Sequence, residues 1–147
     1  MYWSDAPHAA GMCAGPAGMD EIRMEYGSLE KQASDPDSIL SYVREAVRIR
    51  ESLPAISRGN TVRLPELEED RFVGFLRTYS GEQGAGDVLI LINNGGTAVT
   101  RRLPDSVAEY TNLCAALYTG DRNSLINDRE ITVPAGGILF LQKHWMM

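Results

Sequence analysis

The first half of the chain contains one segment with clear helical periodicity, residues 34–53. Apolar side chains recur along it every three or four residues: Ile39, Leu40, Val43, Val47 and Leu53. This spacing predicts an amphipathic helix over 34–53 with a single apolar stripe. Ser34 or Asp35 is the expected N-cap, Pro36 is expected in the first turn, and Pro54 is expected to end the helix.

After Gly59 the pattern changes to short runs of β-branched and aromatic residues separated by turn signals. The predicted strands are residues 61–64, 71–79, 87–93, 97–103, 109–118, 129–133 and 137–142. The run 87–93 is apolar at nearly every position, which is typical of a strand covered on both faces or central in a sheet. The sequence NNGG at 93–96 predicts a tight turn. Residues 129–133 and 137–142 are predicted to form a last pair of strands.

The chain is therefore predicted to be mainly β, with an antiparallel β-sandwich or a barrel-like sheet over 60–147. Residues 1–59 are predicted to supply a loop and the one long α-helix, since 4–20 are rich in Gly, Pro and Ala without any period. One amphipathic helix cannot bury its stripe alone. We expect the stripe to pack on the β-domain or on a second copy of the chain.

The composition excludes several classes of protein. With 147 residues, 44% of them hydrophobic, the chain has the size and apolar content of one globular domain. Its net charge of −6 disfavours binding to phosphate backbones. No apolar run reaches the roughly 18 residues of a membrane span. Natural N termini tend to be polar, so the aromatic start at Tyr2 and Trp3 predicts a chain cut from something larger.

The histidines, cysteines and glycines do not form the patterns that a catalytic, metal or phosphate site requires. His8 and His144 lie near opposite ends without metal-ligand spacing, so no metal or cofactor is predicted. Cys13 and Cys114 are too few for a disulfide scaffold, and Cys114 lies among apolar neighbours that favour a buried, inert thiol. The glycine-rich segment 81–86 lacks the Lys-Ser/Thr of a phosphate-binding loop and is interpreted as a flexible hairpin loop.

The carboxylates predict no catalytic pair, although glycoside hydrolysis requires two of them. Asp35 and Asp37 are explained by helix capping. The acidic run 66–70 lacks the spacing of a calcium loop and is interpreted as a solvated turn. Core packing accounts for most aromatic residues of the predicted strands, which are Phe72, Phe75, Tyr79, Tyr110, Tyr118 and Phe140.

Several segments together resemble the α-amylase family of glycoside hydrolases, glycoside hydrolase family 13. Residues 1–7, MYWSDAP, resemble the M-x-W-S/D loop that follows the late strands of that family's barrel. Residues 32–59 resemble its last barrel helix, with Arg50 and the closing Leu53-Pro54 and Gly59 in the matching places. The runs 72–79, 88–94 and 133–140 resemble strands of its C-terminal β-domain.

The resemblance implies that this chain is a non-catalytic C-terminal fragment, because the family's catalytic Asp, Glu and Asp lie upstream of everything present. A complete barrel needs about 250 residues. The parent would act on α-glucosidic substrates of the starch or malto-oligosaccharide type, and the β-domain would stabilise its barrel. Loop 3–19 would lie near the substrate cleft, which makes Trp3, Ser4 and Asp5 the candidate cleft residues.

The expected partner is thus the missing catalytic barrel. An α-glucan is a second candidate partner. A second copy of the chain, bound through the exposed face of the helix, is a third. One alternative is a stand-alone carbohydrate-binding β-module, which needs an exposed row of aromatic side chains. The tryptophan count argues against it, because Trp3 and Trp145 are the only two and lie at opposite ends. A small enzyme in its own right would need a carboxylate pair in a cleft.

Overall fold

The computed structural model describes residue 5, residues 25–81 and residues 86–143. The chain divides into two units, residues 1–45 and 46–147, and the boundary falls within a helix. The part of the chain so described contains eight strands in two antiparallel sheets, three α-helices and one short 3-10 helix, Asp105–Val107. The predicted fold class, a mainly antiparallel β-sandwich, is confirmed.

Three helices precede the sheets: α1 (Leu29–Ser34), α2 (Ile39–Ser52) and α3 (Pro54–Arg58). The predicted helix over 34–53 is present as α2, but it begins at Ile39 because Ser34 is the last residue of α1. The predicted N-cap at Ser34 or Asp35 is therefore wrong. The buried Ser38 takes that role, since its Oγ accepts a hydrogen bond from the Ser41 N–H at 3.2 Å.

The turn between α1 and α2 uses the two acids that were assigned to capping. The Asp35 carboxylate accepts a hydrogen bond from the Asp37 N–H at 2.9 Å, which closes a local turn around Pro36. Helix α1 itself was not predicted. Its N-cap is Ser28, whose side chain accepts a hydrogen bond from the Lys31 N–H at 3.3 Å.

Pro54 ends α2 as predicted and also begins α3, where its missing N–H leaves no bond unmade. The guanidinium of Arg77 holds α3 against the sheet. Its Nε donates to the Ala55 carbonyl at 3.1 Å and its Nη2 donates to the Ile56 carbonyl at 3.0 Å. The Ala55 carbonyl also accepts a hydrogen bond from the N–H of the C-cap residue Gly59 at 3.0 Å. Arg77 therefore adds a second donor there and fixes α3 to the strand that carries Arg77.

The strands are β1 (Asn60–Glu69), β2 (Phe72–Thr78), β3 (Val88–Asn93), β4 (Val99–Arg102), β5 (Asn112–Leu117), β6 (Leu125–Asn127), β7 (Glu130–Val133) and β8 (Ile138–Gln142). One sheet has the order β1-β2-β3-β8-β5 and the other has the order β4-β7-β6. All seven predicted strands are present. The three-residue β6 was missed because it is too short to show alternation.

Two local predictions are wrong. The acidic run 66–70 is not a solvated turn, because β1 continues to Glu69 and the chain turns only at 70–71. The reason is Leu67, which is 2% exposed and anchors the run to the core. The last two predicted strands do not pair, since β7 joins β4 and β6 whereas β8 joins β3 and β5. The segment between them crosses from one sheet to the other.

One apolar core holds the sandwich together. Its buried members are Leu64, Leu67, Phe72, Leu89, Leu91, Leu103, Val107, Tyr110, Ile131, Val133, Leu139 and Leu141. Consecutive residues of β3 are buried, from Val88 through Leu91, so the predicted coverage of this strand on both faces is confirmed. The predicted core role of the aromatic residues holds for Phe72, Tyr110 and Phe140, which are all buried.

Candidate functional site

The predicted cleft residues are only partly within the described structure. Trp3 and Ser4 lie outside the described residues. The Asp5 carboxylate forms an ion pair with the Lys31 ammonium and accepts hydrogen bonds from Ser28. The hydrogen bond from Lys31 contributes most to lowering the pKa of Asp5 below its usual range. Asp5 is thus tied to the beginning of α1, and its role in a substrate cleft stays a prediction.

The helix α2 carries an exposed apolar ridge, formed by Ile39, Val43 and Val47. These side chains are 51%, 49% and 49% exposed, and their spacing of four residues places them on one face of the helix. Packing of this part of the stripe on the β-domain or on a second copy of the chain stays a prediction. The buried residue of α2 is instead Ile49, which is 1% exposed.

Contiguous exposed apolar side chains on a helix indicate an interaction surface, because water contact with them is unfavourable. The chemistry of the ridge is uniform, with three β-branched aliphatic side chains. A membrane span does not account for it, since no helix in the described ranges is both long enough and apolar enough to cross a bilayer.

One surface cavity, which we call the larger cavity, has a volume of about 500 Å³ and is lined by charged residues of both signs. The Arg129 Nη2 donates to the Leu103 carbonyl at 2.8 Å and to the Asp105 carboxylate at 2.5 Å. Glu66 lines the same cavity. Two carboxylates thus share one cleft, as a small enzyme would require, but the Asp105 side chain is 95% exposed and paired with Arg129. The arrangement is that of a hydrated surface ion pair.

The second cavity, of about 290 Å³, lies where α3 meets the β2–β3 hairpin, and we call it the hairpin cavity. It is lined by Arg58, Asn60, Thr78, Tyr79, Ser80 and Asp87. The Asp87 carboxylate is held from two sides. It accepts a hydrogen bond from the Tyr79 N–H at 3.0 Å and a longer one from the Tyr110 hydroxyl at 3.4 Å.

Tyr110 links this cavity to the core. Its ring is 3% exposed, and the Lys143 ammonium lies 5.5 Å from the ring centre. Burial, followed by the negative charge of Asp87, raises the pKa of Tyr110 from 10.0 to about 12. The native protein therefore keeps this phenol protonated at pH values where the unfolded chain has lost the proton.

This difference predicts an alkaline loss of stability. The contribution of Tyr110 is fully present below pH 10 and is lost as the pH rises towards 12, because unfolding then releases a proton. In thermal unfolding followed by circular dichroism, Tyr110→Phe should show a smaller fall of Tm between these pH values than the unsubstituted protein. Tyr26→Phe is the control, since Tyr26 is 65% exposed. Parallel Tm curves for the unsubstituted protein and Tyr110→Phe would contradict the assignment.

The remaining candidate residues are the histidines, cysteines and carboxylates that could bind a metal ion. Among the residues that the structure describes, no three His, Cys, Asp or Glu side chains converge as metal ligands. His8, Cys13 and His144 lie outside those residues. Cys114 is not buried as predicted but exposed on the edge strand β5, next to an irregularity in the pairing with β8. Its thiol donates to the Phe140 carbonyl at 3.1 Å, and desolvation raises its pKa.

Comparison with solved structures places this fold among known enzymes. Amy13B of Eubacterium rectale matches 99% of this chain with a TM-score of 0.85 and 29% sequence identity. The chain resembles the C-terminal part of an α-amylase-family enzyme. An isomaltulose synthase of Erwinia rhapontici and the trehalulose synthase MutB of Pseudomonas mesoacidophila each match 80% of it, at TM-scores of 0.62 and 0.63. Their identities of 19% and 17% show the shared fold.

The α-amylase-family structures are much longer than this chain. It spans 27% of Amy13B and 20% of each of the two synthases. No protein-family model matches the sequence, and no curated protein matches it. The resemblance predicted from the sequence is confirmed by structure alone.

Sequence reasoning missed the hairpin cavity and the exposure of the α2 ridge. The cavity joins residues 58–60 to 78–87, and no local motif signals that junction. The ridge was visible as a stripe, but an apolar stripe does not reveal which of its residues the rest of the chain covers. The buried residue of α2 is Ile49, which lies beside the stripe, whereas the stripe residues Ile39, Val43 and Val47 are exposed.

Proposed function

We propose that this chain is the non-catalytic C-terminal part of an α-amylase-family glycoside hydrolase that acts on α-glucosidic substrates of the starch or malto-oligosaccharide type. The observation that carries the proposal is the likeness to Amy13B, which extends over 99% of this chain at 29% identity and yet covers 27% of Amy13B. The β-sandwich stabilises the catalytic body, and the chemistry belongs to the catalytic barrel.

The α2 ridge supports this assignment. The aliphatic side chains of Ile39, Val43 and Val47 are about half exposed, and their burial against a second apolar surface stabilises a complex at roughly 25 cal/mol per Å². The sequence resemblance assigns α2 to the last helix of a (β/α)8 barrel. In such barrels the outer helices pack on the strands, so the ridge is the surface through which this chain joins the barrel.

A chimera tests the proposal. The region of Amy13B that matches this chain is replaced by this chain, and hydrolysis of a chromogenic α-glucoside is measured together with Tm. We expect an active, cooperatively folded chimera, whereas the chain alone shows no hydrolysis. Replacing Ile39, Val43 and Val47 together with serine should lower the Tm of the chimera by several degrees, because three buried aliphatic contacts are lost.

The matched control replaces Arg48 with serine, because Arg48 is exposed on the same helix but is not three or four residues from any residue of the ridge. This variant should behave like the unsubstituted chimera. Equal losses in the ridge and control variants would contradict docking through the ridge. Hydrolysis by the isolated chain would contradict the non-catalytic role.

A further inference from the structure

We propose that the hairpin cavity binds one sugar ring of a neutral glucan. The class of ligand follows from the cavity itself, and the choice of an α-linked glucan rests on the proposed function. With a volume of about 290 Å³, the cavity lies at the lower end of small-molecule sites, which measure roughly 300–1,000 Å³. It has room for a single ring and not for a long chain segment.

The polar groups of the cavity are available to a ligand. Within the described part of the chain, the side chains of Arg58, Asn60, Thr78 and Ser80 form no hydrogen bond to the protein. They offer guanidinium and amide donors, an amide acceptor, and two hydroxyls that can donate or accept. Such a mixture of donors and acceptors is complementary to the hydroxyl groups of a sugar, each of which does both.

The charges in the cavity favour a neutral ligand. Arg58 is its cation and Asp87 is its anion, so the two formal charges cancel. An anionic ligand such as a phosphate would gain from Arg58 and lose against Asp87. A hexose avoids that conflict and can bond to both groups. Hydrogen bonds to charged groups are the stronger ones, at about 1.5–3 kcal/mol each.

Tyr79 is the aromatic residue among those that line the cavity. Gly81 lies against its ring, since a Cβ at residue 81 would come within 2.4 Å of Tyr79 Cε1. The backbone N–H of Tyr79 is fixed by Asp87 at 3.0 Å. The backbone of Tyr79 is thus fixed at the cavity, and Gly81 lies beside its ring.

The larger cavity fits a sugar less well. Its Asp105 and Arg129 are already bonded to one another, and none of its lining residues is aromatic. A ligand there would have to compete with that ion pair and would have no ring face to cover. The two cavities thus provide an internal comparison, and Arg102 of the larger one serves as the control position.

The test is a titration of the ¹⁵N-labelled chain with maltotriose, followed by amide chemical shifts. We expect saturable shifts at Asn60, Thr78, Tyr79, Ser80 and Asp87, with a Kd on the order of 1 mM for so small a site. Arg58→Ala and Asn60→Ala should each weaken binding about three- to tenfold, whereas Arg102→Ala should leave it unchanged. Both substituted side chains are exposed, so the spectrum of each variant should otherwise be preserved.

A second pair of probes tests the charge argument. Glucose and glucose 6-phosphate should bind the cavity with affinities within about threefold of each other, since Arg58 and Asp87 offset one another. A phosphate preference above tenfold, saturable shifts around Arg102 instead, or unchanged binding in Arg58→Ala and Asn60→Ala would each overturn the proposal. The absence of any saturable shift would do so too, and an active chimera would then still leave the proposed function standing.

Discussion

Asn93→Ala is expected to lower the free energy of unfolding by about 3–5 kcal/mol, the largest effect that we expect for a polar substitution within residues 25–81 and 86–143. Asn93 is 1% exposed. Its Nδ2 donates to the carbonyls of Thr97, Val133 and Pro134 at 2.8, 3.0 and 3.1 Å, and its Oδ1 accepts from the Gly95 N–H at 2.9 Å. The amide thereby joins the end of β3 to the end of β7, which belong to different sheets.

Alanine at this position removes the four hydrogen bonds of the Asn93 side chain, each worth about 0.5–1.5 kcal/mol. Pro134 keeps a donor, because its carbonyl also accepts from the Gly137 N–H at 3.0 Å. Urea denaturation of the two proteins measures the loss directly. Asn94→Ala is the matched control, because the neighbouring Asn94 is exposed and its side chain makes no hydrogen bond to the described residues. It should change stability by less than about 0.5 kcal/mol. Similar losses at the two positions would contradict the role assigned to Asn93.

Leu91→Ala is expected to cost about 3–4 kcal/mol, because it opens a cavity in the centre of the core. Leu91 is 0% exposed and packs in the main cluster between the two sheets. The residues around Leu91 cannot move easily into the space that the substitution leaves. A Cβ at the facing Gly74 would already lie 2.9 Å from Leu91 Cδ2 and 2.8 Å from Leu67, so the neighbouring backbone is close-packed.

The matched control for this substitution is Leu125→Ala on β6. Leu125 is 66% exposed, so its truncation removes little buried area and should cost less than about 0.5 kcal/mol. The urea concentrations at which the two variants are half unfolded measure the two losses of stability. A cost at Leu91 below about 1 kcal/mol would show that the core relaxes around the lost volume.

Asn93 illustrates which parts of the fold the sequence predicts and which parts it does not. The NNGG signal predicts a turn after β3, and the chain does turn there, since the Gly95 N–H bonds back to the Asn93 Oδ1. Its larger role depends on the carbonyls of Val133 and Pro134, forty residues away. Periodicity and turn chemistry are local signals, so strand positions were predictable and the assignment of strands to two sheets was not.

The capping and the burial of the helices likewise depend on more than the local sequence. Ser34 satisfies every local rule for an N-cap, yet it ends α1, because Ser38 forms the cap of α2. For the candidate site, the apolar stripe of α2 was predictable from spacing. The exposure of Val43 and the burial of Ile49 were not, because they depend on what packs against each face of the helix.

The size of the native gene product tests most directly whether this chain acts as part of a larger α-amylase-family enzyme. An antibody raised against the chain, of 16.2 kDa, is used to blot an extract of the cells that produce it. Since the chain spans 27% of Amy13B, we expect a band several times heavier than 16.2 kDa. A single band at 16.2 kDa would contradict this expectation and would favour a stand-alone module.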